Sequence, residues 1–146
     1  MKLLAKNKRA TFDYQLDERV VAGLALTGPE VKSIKAGHAS LRGSFVSLRS
    51  GEAYLTNAHV TPYSLAAVKE YDPLRNRKLL LHRRQLDELI KQKQAGLSVI
   101  PTALLLEHNF IKLEVGIGKG KKRYDKRETI KRRDVNRELA RTARIS

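Results

Sequence analysis

The stretch from Val99 to Ile117 limits the fold more than any other part of this chain. Val99 to Leu106 is an almost unbroken apolar run. It turns through Glu107, His108 and Asn109 into Phe110 to Ile117, where Ile111, Leu113, Val115 and Ile117 alternate with Lys112, Glu114 and Gly116. A period of two places one set of side chains on a single face, which predicts an antiparallel hairpin with one buried side. A chain holding such a pair has to extend a sheet from it.

The remaining segments supply that sheet. Met1 to Lys6 reads as a loose end, followed by a basic lead-in, Asn7-Lys8-Arg9-Ala10. Phe12, Tyr14 and Leu16 then alternate with Thr11, Asp13 and Gln15, which predicts a strand. Val20 to Leu26, interrupted only by Gly23, predicts a buried strand that bends or bulges at the glycine. Phe45, Val46 and Leu48 face Ala53, Tyr54 and Leu55 across Ser50-Gly51, a tight hairpin turn. Leu79-Leu80-Leu81 is a further short apolar strand.

Two short helices punctuate the strands. Thr27 can cap the amide of Glu30 while the Glu30 carboxylate reaches back, and Pro29 suits the first turn. That helix turns Val31 and Ile34 inward and Lys32 and Lys35 outward, and it stops at Gly37. The second has Leu86, Leu89 and Ile90 on one face, an i,i+4 pair in Asp87 and Lys91, and a stop at Gly96. Thr61 to Asn76, with Pro62 and Pro73, predicts a long surface loop closed by Arg75, Arg77 and Lys78. Six or so strands and two short helices in about 118 residues predict an all-β fold with short helices, a closed antiparallel barrel of the oligonucleotide-binding (OB) type.

Charge separates the chain into two parts. Residues 119–146 hold twelve of the thirty Lys and Arg against Asp125, Glu128, Asp134 and Glu138, so this stretch carries a formal +8 of the total +15. Tyr124, Ile130, Val135, Leu139 and Ala143 are too sparse there to build a core. Asp125 and Glu128 nevertheless have capping-box spacing among good helix formers. The division expected is a body, residues 1–118, and a basic tail, residues 119–146, disordered when free and helical once a polyanion screens its charge. Gly116, Gly118 and Gly120 read as a hinge between them.

A pI near 10.3 favours a nucleic acid as partner, because each neutralised phosphate releases condensed counterions. No long apolar run, signal peptide or lipidation motif points to a membrane. The chain has no cysteine, which fits a reducing cytoplasm. Its four histidines stand more than 20 residues apart, so neither a metal site nor a cofactor is expected. The glycine run 116–120 fits neither nucleotide fingerprint, and no catalytic motif occurs, so no catalytic residue is assigned. The scarcity of aromatics, eight Phe and Tyr in all, favours recognition of a folded RNA by shape and phosphate position.

Four motifs occur in order: Asn7-Lys8-x-Ala10, Leu26-Thr27-Gly28-Pro29-Glu30-Val31-Lys32-Ser33, Arg77-Lys78-Leu79-Leu80-Leu81-His82, and Lys119-Gly120-Lys121-Lys122-x-Tyr124-Asp125-Lys126-Arg127. Over nearly its whole length the chain resembles the small protein B family, the SsrA-binding proteins of bacterial trans-translation. The resemblance implies an OB-type barrel that grips the tRNA-like domain of transfer-messenger RNA and enters stalled ribosomes with it. It further implies a tail that forms a helix in the vacant message channel, with the residue at Tyr124 stacking in the small-subunit decoding centre.

Residues matching Glu30, Leu80 and His82 are tied to RNA binding in that family, and those matching Gly120 and Asp125-Lys126-Arg127 to tail function. With the basic positions around them, the candidate RNA-contacting set is Asn7, Lys8, Arg9, Glu30, Lys32, Lys35, Arg75, Arg77, Lys78, Leu80 and His82. The candidate ribosome-contacting set is Lys119, Gly120, Lys121, Lys122, Tyr124, Asp125, Lys126 and Arg127. Gly118 stands where Ala is frequent, a change expected to loosen the hinge, and beyond Arg127 only charge carries over. A monomer is expected. A structural ribosomal protein and an RNA-processing enzyme remain the alternatives, the first separable by its preference for ribosomal RNA fragments.

Overall fold

The computed structural model describes residues 1–62 and 71–121. Among them the elements run β1 (Lys2–Lys6), α1 (Lys8–Asp13), β2 (Tyr14–Leu24), α2 (Gly28–Lys35), β3 (Ala39–Ser40), β4 (Phe45–Arg49), β5 (Glu52–Thr56), β6 (His59–Val60), β7 (Arg77–Leu80), α3 (Arg83–Gln94), β8 (Ser98–Glu107) and β9 (Phe110–Gly120). Seven strands form one antiparallel sheet in the order β1-β8-β9-β2-β7-β5-β4, and β3 pairs with β6. The fold is therefore mostly antiparallel β with short helices. Among the described residues no ladder joins β4 back to β1, so hydrogen bonding alone does not close the sheet.

The β8–β9 hairpin behaves as its alternation requires. Leu113 and Val115 are fully buried and Ile111 and Ile117 nearly so, while Lys112 and Glu114 face outward. His108 and Asn109 turn it with positive φ, as Ser50 and Gly51 do between β4 and β5. Ile34 of α2 and Leu86 and Leu89 of α3 seal the inner face together with Leu41, Leu55, Leu79 and Leu104. The Thr27–Glu30 capping box forms: Thr27 N–H donates to Glu30 Oε1 at 3.0 Å, and Glu30 N–H to Thr27 Oγ1 at 3.3 Å. Gly37 and Gly96 follow the two helices with positive φ.

Several expectations need correction. Residues 2–6 form an edge strand on β8. Phe12 lies in α1, and the strand begins only at Tyr14. In β2 the irregularity falls between Leu16 and Glu18, whereas Gly23 keeps register with Leu80 and Lys112. The strand is also half-exposed beyond Val20, with Val21 outside and Ala22 inside. Asp87 pairs with Arg83 at 3.2 Å, one turn back, where Lys91 was expected. The glycine run is sheet, not hinge, because Gly116, Gly118 and Gly120 pair with Arg19, Leu16 and Tyr14. A Cβ on Gly118 would stand 1.8 Å from Gln15 O, so this glycine permits close approach of two backbones and loosens nothing.

Candidate nucleic-acid interface

The cap of α2 holds the most elaborate polar cluster in the described residues. Glu30 is 1% exposed. Besides Thr27, its carboxylate receives Arg75 Nε at 3.0 Å, Arg77 Nε at 2.8 Å and the Arg75 Nη2 group. Tyr71 Oη lies 3.1 Å from Glu30 Oε2 and 3.0 Å from Val60 O. Burial alone pushes the Glu30 carboxyl up; the hydrogen bonds from Arg75, the Thr27 amide and Arg77 outweigh it and hold the group at about 2. The same bonding raises Arg75 above the ordinary guanidinium value, and burial beside the Glu30 charge raises the Tyr71 phenol.

Arg77 is fully buried and its five N–H donors are all used. Nε reaches Glu30, Nη1 reaches Ala58 O at 2.8 Å and Arg75 O at 3.1 Å, and Nη2 reaches Tyr71 Oη at 3.0 Å and Pro73 O at 3.1 Å. Arg77 therefore joins the connection between β5 and β6, the segment 71–75 and α2. Glu30 and Arg77 have no surface to offer an RNA; they hold Arg75, whose side chain is one-third exposed, at the rim. A carboxylate fixed in its charged form and saturated with donors also cannot serve as a proton acceptor near neutral pH.

The other expected residues divide between scaffold and surface. Asn7 is buried: its amide donates to Thr102 O at 2.7 Å and its Nδ2 to Pro101 O at 2.8 Å, on the irregular stretch of β8. It fixes the turn that projects Lys8 and Arg9 into solvent. Arg9 lies over the Phe12 ring at 4.8 Å and beside Asp13 at 3.4 Å. Lys32 and Lys35 are exposed on α2, and Lys78 and Leu80 on β7, with Lys78 3.6 Å from Glu52. His82 is exposed at the start of α3, where its amide donates to Gln85 Oε1 at 3.1 Å. Lys119 and Gly120 end β9, and Lys121 is tied down by its amide to Asp13 O at 2.8 Å and by Nζ to Thr11 O at 2.7 Å. Lys122, Tyr124, Asp125, Lys126 and Arg127 lie outside the described residues.

Sequence reasoning passed over two contributors. Arg42 joins Lys6, Lys8 and Arg9 around an open cleft of about 430 Å³, brought there by the short segment between β3 and β4. Tyr71, read as loop, is a member of the Glu30 cluster. Neither had a local signal, since their partners are distant in the chain.

Comparison with known proteins gives the arrangement a lineage. The family model described as SmpB protein matches residues 4–145. SsrA-binding proteins of Bacillus pumilus and Latilactobacillus sakei are 48% and 47% identical over 98% and 97% of this chain and 92% of their own length. The SsrA-binding protein of Bacillus subtilis is 46% identical over 99% of this chain and 94% of its own. The chain belongs to the SmpB family. A solved SmpB-related chain, from work on tmRNA-SmpB at the center of the bacterial ribosome, superposes with a TM-score of 0.66 at 38% identity, covering 86% of this chain and 92% of its own. The SmpB match runs past Arg127 to residue 145, further than the motifs alone reach. Among the described residues no helix is long and apolar enough to cross a membrane, and no three His, Asp or Glu cluster as metal ligands would.

Proposed function

We propose that this chain is a non-enzymatic RNA-binding protein that binds SsrA RNA, the transfer-messenger RNA, and acts with it on the ribosome in trans-translation. The observation that carries this reading is near-full-length identity of 46–48% to proteins named SsrA-binding. The chemistry of the body fits. Arg75 is held by the buried Glu30, and Lys8 and Arg9 follow the buried Asn7 with Arg42 beside them, an arrangement suited to phosphate positions on a folded RNA.

In finer detail, the RNA surface taken is the tRNA-like domain, and the sheet wraps into an OB-type barrel, residues 1–121, acting as a cytoplasmic monomer. The tail begins after Lys121, later than residue 119, because β9 runs to Gly120 and Lys121 is anchored on α1; residues 122–146 take helical form in the empty message channel. Its density of ten cations supports such an order-on-binding device, and Tyr124 is its contact in the decoding centre. Preferential retardation of the tRNA-like fragment over ribosomal RNA fragments by the purified protein is the expected result. Equal affinity for both would favour a structural ribosomal protein. For the tail, binding to ribosomes whose channel is filled by full-length message should be weaker than to ribosomes with an empty one; equal binding contradicts the sensing role.

A further inference from the structure

The short helix α1 touches both parts of the molecule. Its start is held to the sheet by Asn7, which bonds β8 twice, and its middle by the buried Ala10. Its end lacks the usual closure. The chain passes from Asp13 straight into the extended Tyr14, with no glycine to turn it and no basic residue in the last turn. The Tyr14 amide satisfies Ala10 O. The carbonyls that follow have no acceptor role inside the helix and need donors from elsewhere.

Lys121 supplies two. Its Nζ donates to Thr11 O at 2.7 Å and its amide to Asp13 O at 2.8 Å. An ammonium group is favoured at the negative end of a helix, and 2.7 Å is the length of a charge-assisted bond. The Asp13 carboxylate meanwhile lies 3.4 Å from Arg9. Through Asp13, one six-residue helix thus connects a cation of the candidate RNA-contacting set with the residue from which the tail departs. Lys121 is partly buried and its ammonium is engaged by the body, whereas Lys119, two residues earlier, is exposed.

We propose that Lys121 is a positioning residue, which fixes where residues 122–146 leave the body relative to RNA held at Lys8 and Arg9. This role differs from the ribosome contact expected of Lys121 from its motif. Tyr124 follows three residues later, so the anchor confines it to within roughly 10 Å of Lys121 on α1. Without the anchor the tail samples a larger volume, and its effective concentration at the message channel falls. The proposal rests on the reading of the chain as a partner of transfer-messenger RNA on the ribosome, and it adds what holds body and tail in a fixed relation.

Full-length variants test it. Lys121→Met keeps the reach of the side chain and loses its donors; Lys121→Arg keeps donors; two glycines inserted between Lys121 and Lys122 keep every charge. The Lys121 amide should exchange roughly ten-fold faster in Lys121→Met than in the wild type, and equal exchange would overturn the anchor. Lys121→Met and the insertion should each bind empty-channel ribosomes roughly ten-fold more weakly, with Lys121→Arg restoring the affinity. The insertion variant should retard the tRNA-like fragment as the wild type does. A salt slope of ribosome binding lowered by about one in Lys121→Met would make Lys121 a phosphate contact. Undiminished ribosome binding by the insertion variant would show that the exit point is immaterial; either result overturns the proposal. Failure of the wild type to retard the fragment would overturn the RNA-binding reading and the role of the anchor with it, whatever the exchange result.

Discussion

Removing a carboxylate and a guanidinium from water costs several kcal/mol per ion, so the Glu30–Arg77 pair persists only because each polar atom has a partner. Every donor of Arg77 is matched, as described above, and Glu30 accepts from four residues. Truncation of one partner leaves the other charged, buried and unpaired. Glu30→Ala should therefore lower the unfolding free energy by about 3–5 kcal/mol in urea titration. A loss under about 1 kcal/mol would show that water replaces the carboxylate and that the cluster is not buried as described. The pH dependence follows from the depressed carboxyl. The folded value of about 2 lies below the ordinary 4.5, so this group's contribution is complete above pH 4.5 and is lost as pH falls toward 2. It amounts to about 3 kcal/mol. The wild-type chain should lose stability over that window more steeply than Glu30→Gln; parallel curves would assign the acid sensitivity to other groups. The Thr27–Glu30 spacing was legible because a capping box is local. The other partners of Glu30 lie 41 to 47 residues away, and no short-range pattern announces them.

At the level of elements, the hairpins were readable because a period of two and a two-residue turn with positive φ leave local marks. The helix Lys8–Asp13 left none. It is six residues long, too short to show a helical period, and its Phe12 falls into step with the alternation of β2. The glycine run 116–120 was misread because glycine punctuates loops and also serves where two backbones meet closely. Only the pairing of β9 with the irregular part of β2 distinguishes these uses. Gly118→Ala should force those strands apart, lowering stability by about 1–3 kcal/mol and speeding amide exchange from Ile117 to Gly120. Slow exchange there in the wild-type chain, comparable with that of Leu113, is the ladder's signature. Fast exchange would restore the hinge.

For the whole molecule, the body presents two positively charged surfaces: the Arg75 rim and the Lys8–Arg9–Arg42 cleft. The formal +6 beyond Lys121 is a separate reservoir. Lys121 is fastened to α1 through Asp13 and Thr11, so the place to divide body from tail experimentally is after that residue. If the body carries recognition and the tail carries the ribosomal role, the two parts should respond differently to salt. The most direct test is a titration of the full chain and of residues 1–121 against the tRNA-like fragment of transfer-messenger RNA at several salt concentrations. The shortened chain is predicted to bind the fragment, with a shallower dependence of log K on log salt because fewer phosphates are neutralised. Loss of binding by residues 1–121 would contradict the account, placing recognition in the tail.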